Sequence, residues 1–114
     1  MEVKRAVKVA DLIKREISRI IVESVKDPGV GFVTITHVKM SEDLKEASVY
    51  FSVLGDPKQR EDTIKGLNRA TPFIRMELGS RIRLRYTPKI KFVLDTTLDY
   101  AENIEKIIKK LKDV

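Results

Sequence analysis

The run Glu46–Leu54, EASVYFSVL, alternates without a break, with Ala47, Val49, Phe51 and Val53 on one side and Ser48, Tyr50 and Ser52 on the other. A period of two predicts a β-strand in a sheet with one apolar and one polar face. The apolar face needs a cover, and helical patterns on either side of this run supply it.

Upstream, Phe32–Met40 (FVTITHVKM) is rich in β-branched residues and predicts a partner strand, joined through a hairpin loop at Ser41-Glu42-Asp43-Leu44. Downstream, Lys89–Thr96 (KIKFVLDT) alternates again, with Ile90, Phe92 and Leu94 facing one way, and predicts a third strand. From residue 3 to about 25, Ala6, Ala10, Ile13, Ile17, Ile20 and Ile21 recur at three- and four-residue intervals between charges. This is the pattern of an amphipathic helix, which Asp27-Pro28-Gly29 then ends.

Asp56 as N-cap, Pro57 at the first helical position and Gln59 three residues after the cap open a second helix, which runs through Ile64 and Leu67 toward Arg69. Pro72 cannot donate an interior helical hydrogen bond and disfavours helical geometry at Thr71, yet Phe73 to Leu84 resumes helical spacing with Ile74, Leu78 and Ile82. The expectation is helix, break or kink, helix. Thr96 and Asp99 have capping-box spacing before a short final helix within residues 97–114, where Tyr100, Ile104, Ile107, Ile108 and Leu111 share a face. Whether that helix docks or stays mobile is open at this stage.

The resulting order, α-β-β-α-kink-α-β with a C-terminal helix, predicts an α+β fold: a three-stranded sheet with helices on one face. A chain of 114 residues is expected to form one domain, 1–114, because two halves would each be too small to bury an adequate core. Its 42% hydrophobic and 35% charged residues fit a folded domain and not a disordered segment. The absence of cysteine removes disulfides, thiolate nucleophiles and thiolate metal ligands, and is compatible with a reducing cytosol. Charges interrupt the N-terminal segment every few residues, so neither a signal peptide nor a membrane span is expected, and the protein is read as cytoplasmic.

Enzyme chemistry finds little support. The single histidine, His37, lies in the first strand, where a lone imidazole reads as a partly buried structural residue. Glu42-Asp43 reads as turn chemistry, and Gly29-Val30-Gly31 as a helix-to-strand turn without a dinucleotide or P-loop pattern around it. With no nucleophile elbow and no convergent ligand set, the expectation is no catalysis, no metal, no cofactor and no small-molecule substrate.

Net charge is +6, and its location is more informative than its size. Residues 1–57 hold nine Lys/Arg and nine Asp/Glu, residues 58–91 hold ten and three, and residues 92–114 hold four and five, so the sums are 0, +7 and −1. Such segregation carries a repulsion cost that a polyanion relieves, which points to nucleic acid.

A helix-break-helix between the second and third strands, inside a basic segment, is the layout of a type II K-homology RNA-binding domain. That domain grips nucleic acid with a GXXG loop, and none occurs here; the corresponding place reads Asn68-Arg69-Ala70-Thr71-Pro72. The chain instead resembles the ribosome-binding factor A family, a K-homology-like fold in which a kink following an alanine replaces the loop. Residues Gly66-Leu67-Asn68-Arg69-Ala70 and Phe73-Ile74-Arg75-Met76-Glu77-Leu78-Gly79 look like its helix-kink-helix segment. Asp27-Pro28-Gly29-Val30-Gly31 also matches, as do Ser41-Glu42-Asp43-Leu44 with Ala47, Val49 and Tyr50, and Arg83-Leu84-Arg85 with Thr87-Pro88 and Phe92. One departure is Ala70-Thr71-Pro72, where the family usually has Ala-x-Gly.

The resemblance implies a monomeric assembly factor that binds free small (30S) ribosomal subunits, assists late maturation and processing of 16S rRNA, and supports growth in the cold. Phosphate contacts are expected among Lys65, Arg69, Arg75, Arg81, Arg83, Arg85, Lys89 and Lys91, with Asn68, Ala70 and Thr71 at the kink. Arg75, Gly79 and Arg83, spaced by four, are expected to form one polar stripe with a gap for a phosphate, while Ile74, Leu78 and Ile82 face the sheet. The plainer alternative is that some of these cations pair with Glu61, Asp62 or Glu77. Phe73 is expected in the core, and 6% aromatic residues speak against a stacking platform. A general RNA- or DNA-binding domain, a protein adaptor with an incidental basic face and a small RNA-modifying enzyme remain as alternatives. Affinity for duplex DNA, weak salt dependence and a pocket with perturbed titratable groups, respectively, would mark them.

Overall fold

Helix α1 spans Glu2–Ser24 and leads to an antiparallel hairpin of β1 (Val33–Met40) and β2 (Glu46–Val53). Helix α2 (Pro57–Arg81) then crosses to β3 (Lys89–Leu94), which pairs parallel to β2, and α3 (Thr97–Lys112) follows. The computed structural model describes the backbone of residues 2–112 and the side chains of residues 5–97 and 105–112. The sheet order is β1-β2-β3, so the strand with the cleanest alternation is central.

The core lies between the sheet and two helices. Ile13, Ile17 and Ile20 from α1, Val49 and Phe51 from β2, and Leu67, Ile74 and Leu78 from α2 are buried in one cluster. Phe92 of β3 meets Phe51 edge-on at 6.2 Å between ring centroids. The expected α+β architecture with helices on one face is therefore present, and its element order suits a K-homology-like fold.

Turn chemistry follows the sequence closely. Asp43 accepts from the Ser41 hydroxyl (2.7 Å) and the Lys45 N–H (3.0 Å), closing the hairpin loop in which Leu44 takes a positive φ of 61°. Asp56 accepts from the Gln59 N–H at 2.8 Å while the Gln59 side chain accepts from the Asp56 N–H at 2.7 Å, completing the capping box. Of the capping spacing expected before α3, Asp99 lies outside the described side chains; the Thr97 N–H donates to Asp95 at 3.0 Å.

Four expectations need correction. Of the expected break or kink at Pro72, the break does not occur: α2 is one helix of 25 residues with Pro72 inside it. Proline removes the N–H that would meet the Asn68 carbonyl and crowds that carbonyl with its ring, at a typical cost of about 3 kcal/mol. Leu67, Ile74 and Leu78 are fully buried across the break site, and burying even two such side chains is worth as much. The helix also stops at Arg81, where Ile82 turns extended (φ −118°, ψ 147°), so Leu84 is not helical.

His37 is not partly buried. A β-bulge between Ile35 and His37 shifts the register, pairing His37 with Tyr50 and Val38 with Val49. Strict alternation would have put His37 on the core side with Ile35; the extra residue turns it to the open face. Phe73, expected in the core, is 37% exposed.

The final helix is uncovered where its side chains are described. Residues 105–112 are all exposed, including Ile107, Ile108 and Leu111, whereas Tyr100 and Ile104 lie outside the described side chains.

Candidate nucleic-acid interface

Ten cations and three acids along residues 58–91 cannot all be matched internally, and the fold decides which cations are left over. Lys65 pairs with Glu61 one turn earlier at 3.0 Å, an exposed contact of little energetic weight. Arg69 is held more firmly. Its Nε and Nη2 donate to the two carboxylate oxygens of Asp27 at 3.0 and 2.9 Å, a bidentate fork that fastens α2 to the turn after α1. This hydrogen-bonded guanidinium, together with the Gly29 N–H, holds the Asp27 carboxyl below its ordinary pKa.

Arg75 also has a structural task. It donates to the carbonyls of Pro88 (3.2 Å) and Thr87 (2.9 Å), drawing the segment between α2 and β3 back onto the helix. Thr87 packs against Gly79, where a Cβ would stand 2.8 Å from the Thr87 hydroxyl. Thr87 thus narrows the expected gap, and Arg83, beyond the helix end, does not continue the Arg75–Gly79 stripe. Arg81 lies 3.5 Å from Glu77 and 3.7 Å from Glu16, linking α2 to α1.

Lys58 and Arg60 lie in the first turn of α2, and beyond its far end stand Arg83, Arg85, Lys89 and Lys91, all four exposed. Among the described residues no ion pair or hydrogen bond engages the side chains of Arg83, Lys89 or Lys91, and Arg85 stands 5.5 Å over the Tyr86 ring. At the helix centre Asn68 is exposed, Ala70 is half-buried, and the Thr71 hydroxyl donates to the Leu67 carbonyl at 2.8 Å.

Two open grooves flank Tyr86, which is 60% exposed. One of about 650 Å³ runs between the hairpin loop (Ser41, Asp43, Lys45, Glu46) and Arg75, Thr87 and Lys89. Another of about 550 Å³ lies along Pro72, Met76, Gly79 and Arg85. Lys45 joins this surface from outside the basic segment. A count along the chain could not find it, because the hairpin loop reaches Lys89 only through the parallel pairing, where the Lys89 N–H donates to the Lys45 carbonyl at 2.8 Å.

Among the described residues no group of three or more His, Asp or Glu is placed to hold a metal, and no helix is long and apolar enough to cross a membrane.

Residues 5–108 match the family model for ribosome-binding factor A. The chain belongs to the ribosome-binding factor A family. It is 43% identical to the ribosome-binding factor A of Halothermothrix orenii over 113 residues, covering 99% of this chain and 93% of that one. The crystal structure of ribosome-binding factor A from Thermus thermophilus superposes with a TM-score of 0.70 at 25% identity, over 78% of this chain and 93% of the other. A homology model of the Thermus factor, fitted into a cryo-EM map of its 30S complex, has the same fold, with a TM-score of 0.67 at 24% identity over 79% of this chain and 94% of that one. In this member of the ribosome-binding factor A family, Ala70 lies inside α2, two residues before Pro72.

Proposed function

We propose that this protein binds the small ribosomal subunit as a monomer in the cytoplasm and assists late maturation of 16S rRNA, without catalysing a reaction. Family membership supports the partner. Within the chain, the observation that carries the binding surface is the free cation run Arg83, Arg85, Lys89 and Lys91. It lies along the α2–β3 connection and the edge strand, where no acid among the described residues forms an ion pair with it.

Arg69, Arg75 and Arg81 take a second role in this reading: they shape the surface and supply background potential, while the free cations displace counterions from rRNA phosphates. Recognition is by backbone and shape more than by sequence.

The test is sedimentation of cell extract with detection of the protein. Co-migration with free small subunits, and not with whole ribosomes, is the expected outcome. Protein found only at the top of a low-salt gradient contradicts the reading.

A further inference from the structure

The helices cover one face of the sheet; the other carries an arrangement that the basic surface does not account for. By register, His37 and Tyr50 lie side by side on that face, with Lys39 and Lys91 flanking Ser48 in the next row and Lys89 beside Glu46 beyond it. The His37 and Tyr50 rings stack at 4.0 Å with an interplanar angle of 11°, and the His37 side chain is 55% exposed. Lys39, Lys89 and Lys91 are exposed around this pair, and Glu46 is the one acid in those rows.

The bulge before His37 builds this site. It places the Thr36 hydroxyl 2.6 Å from the Asp95 carboxylate, which also accepts from the Thr97 N–H and lies 3.7 Å from His37 Nδ1, at the edge of the imidazole. Imidazole and phenol planes offer a π surface on which any base can stack, and lysines around them meet phosphates without sequence preference. The face is continuous with the free cation run through Lys89 and Lys91, which belong to both.

We propose that this open sheet face binds a single-stranded RNA segment, one base stacking on the His37–Tyr50 pair while Lys39, Lys89 and Lys91 meet the adjoining phosphates. The proposal rests on the rRNA-binding reading and adds to it an unpaired segment as ligand.

His37 is the only histidine, so its imidazole protons form a unique NMR probe. Titrating the full chain with a ten-nucleotide single-stranded oligoadenylate should move those resonances upfield; a duplex RNA of equal length should leave them in place. His37→Ala should weaken oligoadenylate binding about fivefold to a hundredfold, with an unchanged melting temperature, and His37→Phe should restore it. Unmoved resonances at saturation, equal shifts with the duplex, or undiminished binding by His37→Ala would each overturn the proposal. Sedimentation with small subunits separates the two readings. If the parent chain sediments with subunits while His37→Ala binds oligoadenylate undiminished, only the sheet face is refuted; if the parent does not sediment, the ribosomal reading itself fails.

Discussion

Arg69 and Asp27, 42 positions apart in sequence, meet through two parallel hydrogen bonds of 3.0 and 2.9 Å. A residue that the basic segment presents as an RNA contact is thereby the fastener between α2 and the turn that precedes β1. Arg69→Gln is expected to lower the melting temperature by a few degrees, whereas Arg83→Gln leaves it unchanged. The Asp27 carboxyl has a lowered pKa, so its stabilisation is complete above its ordinary value of 3.8 and lost as pH falls through the lowered one. Acid unfolding followed by circular dichroism should show Arg69→Gln less stable than the parent above the ordinary value of 3.8 and converging with it as pH falls through the lowered one.

Leu67 is fully buried beside Thr63 and Gly66 on the first half of α2. Leu67→Ala should cost about 2–5 kcal/mol in urea denaturation through lost burial and the cavity left behind.

Gly66 lies where α2 touches the turn before β1, and an added Cβ would sit 2.9 Å from Val30 Cγ2 and 3.1 Å from the Val30 backbone nitrogen. Replacing glycine by alanine inside a helix ordinarily gains about 1 kcal/mol. Gly66→Ala should instead reduce stability, because the Val30 backbone cannot yield as a flexible side chain would; a raised urea midpoint would refute this.

Asp95 has its pKa lowered to about 2 by the Thr36 hydroxyl, by Thr97 and by nearby His37, in that order. Its stabilising effect is present above the ordinary value of 3.8 and lost as pH falls through about 2. Carboxyl-carbon NMR titration should find it near 2 in the parent and closer to 3.8 in Thr36→Val.

Charge reversal at Arg83, Arg85 and Lys91 should weaken small-subunit binding and reduce the slope of log affinity against log salt by about 2–3, with no change in melting temperature. Reversal at Arg75 and Arg81 should lower the melting temperature as well, because those side chains hold Thr87, Pro88, Glu16 and Glu77.

The sequence by itself determined the elements and their sides. Alternation in Glu46–Val53, three- and four-residue spacing in α1, and the capping box at Asp56 and Gln59 are local patterns, and local geometry is enough to read them. It also determined that residues 58–91 carry more positive charge than they can neutralise. Three things were decided only in the tertiary structure. Helix α2 passes through Pro72 because burial on both sides outweighs one missing hydrogen bond. The bulge turned His37 to the open face because strand register depends on pairing with β2, which no single strand encodes. Which cations remain free depended on partners such as Asp27 and the Thr87 carbonyl, brought near by folding and not by sequence spacing.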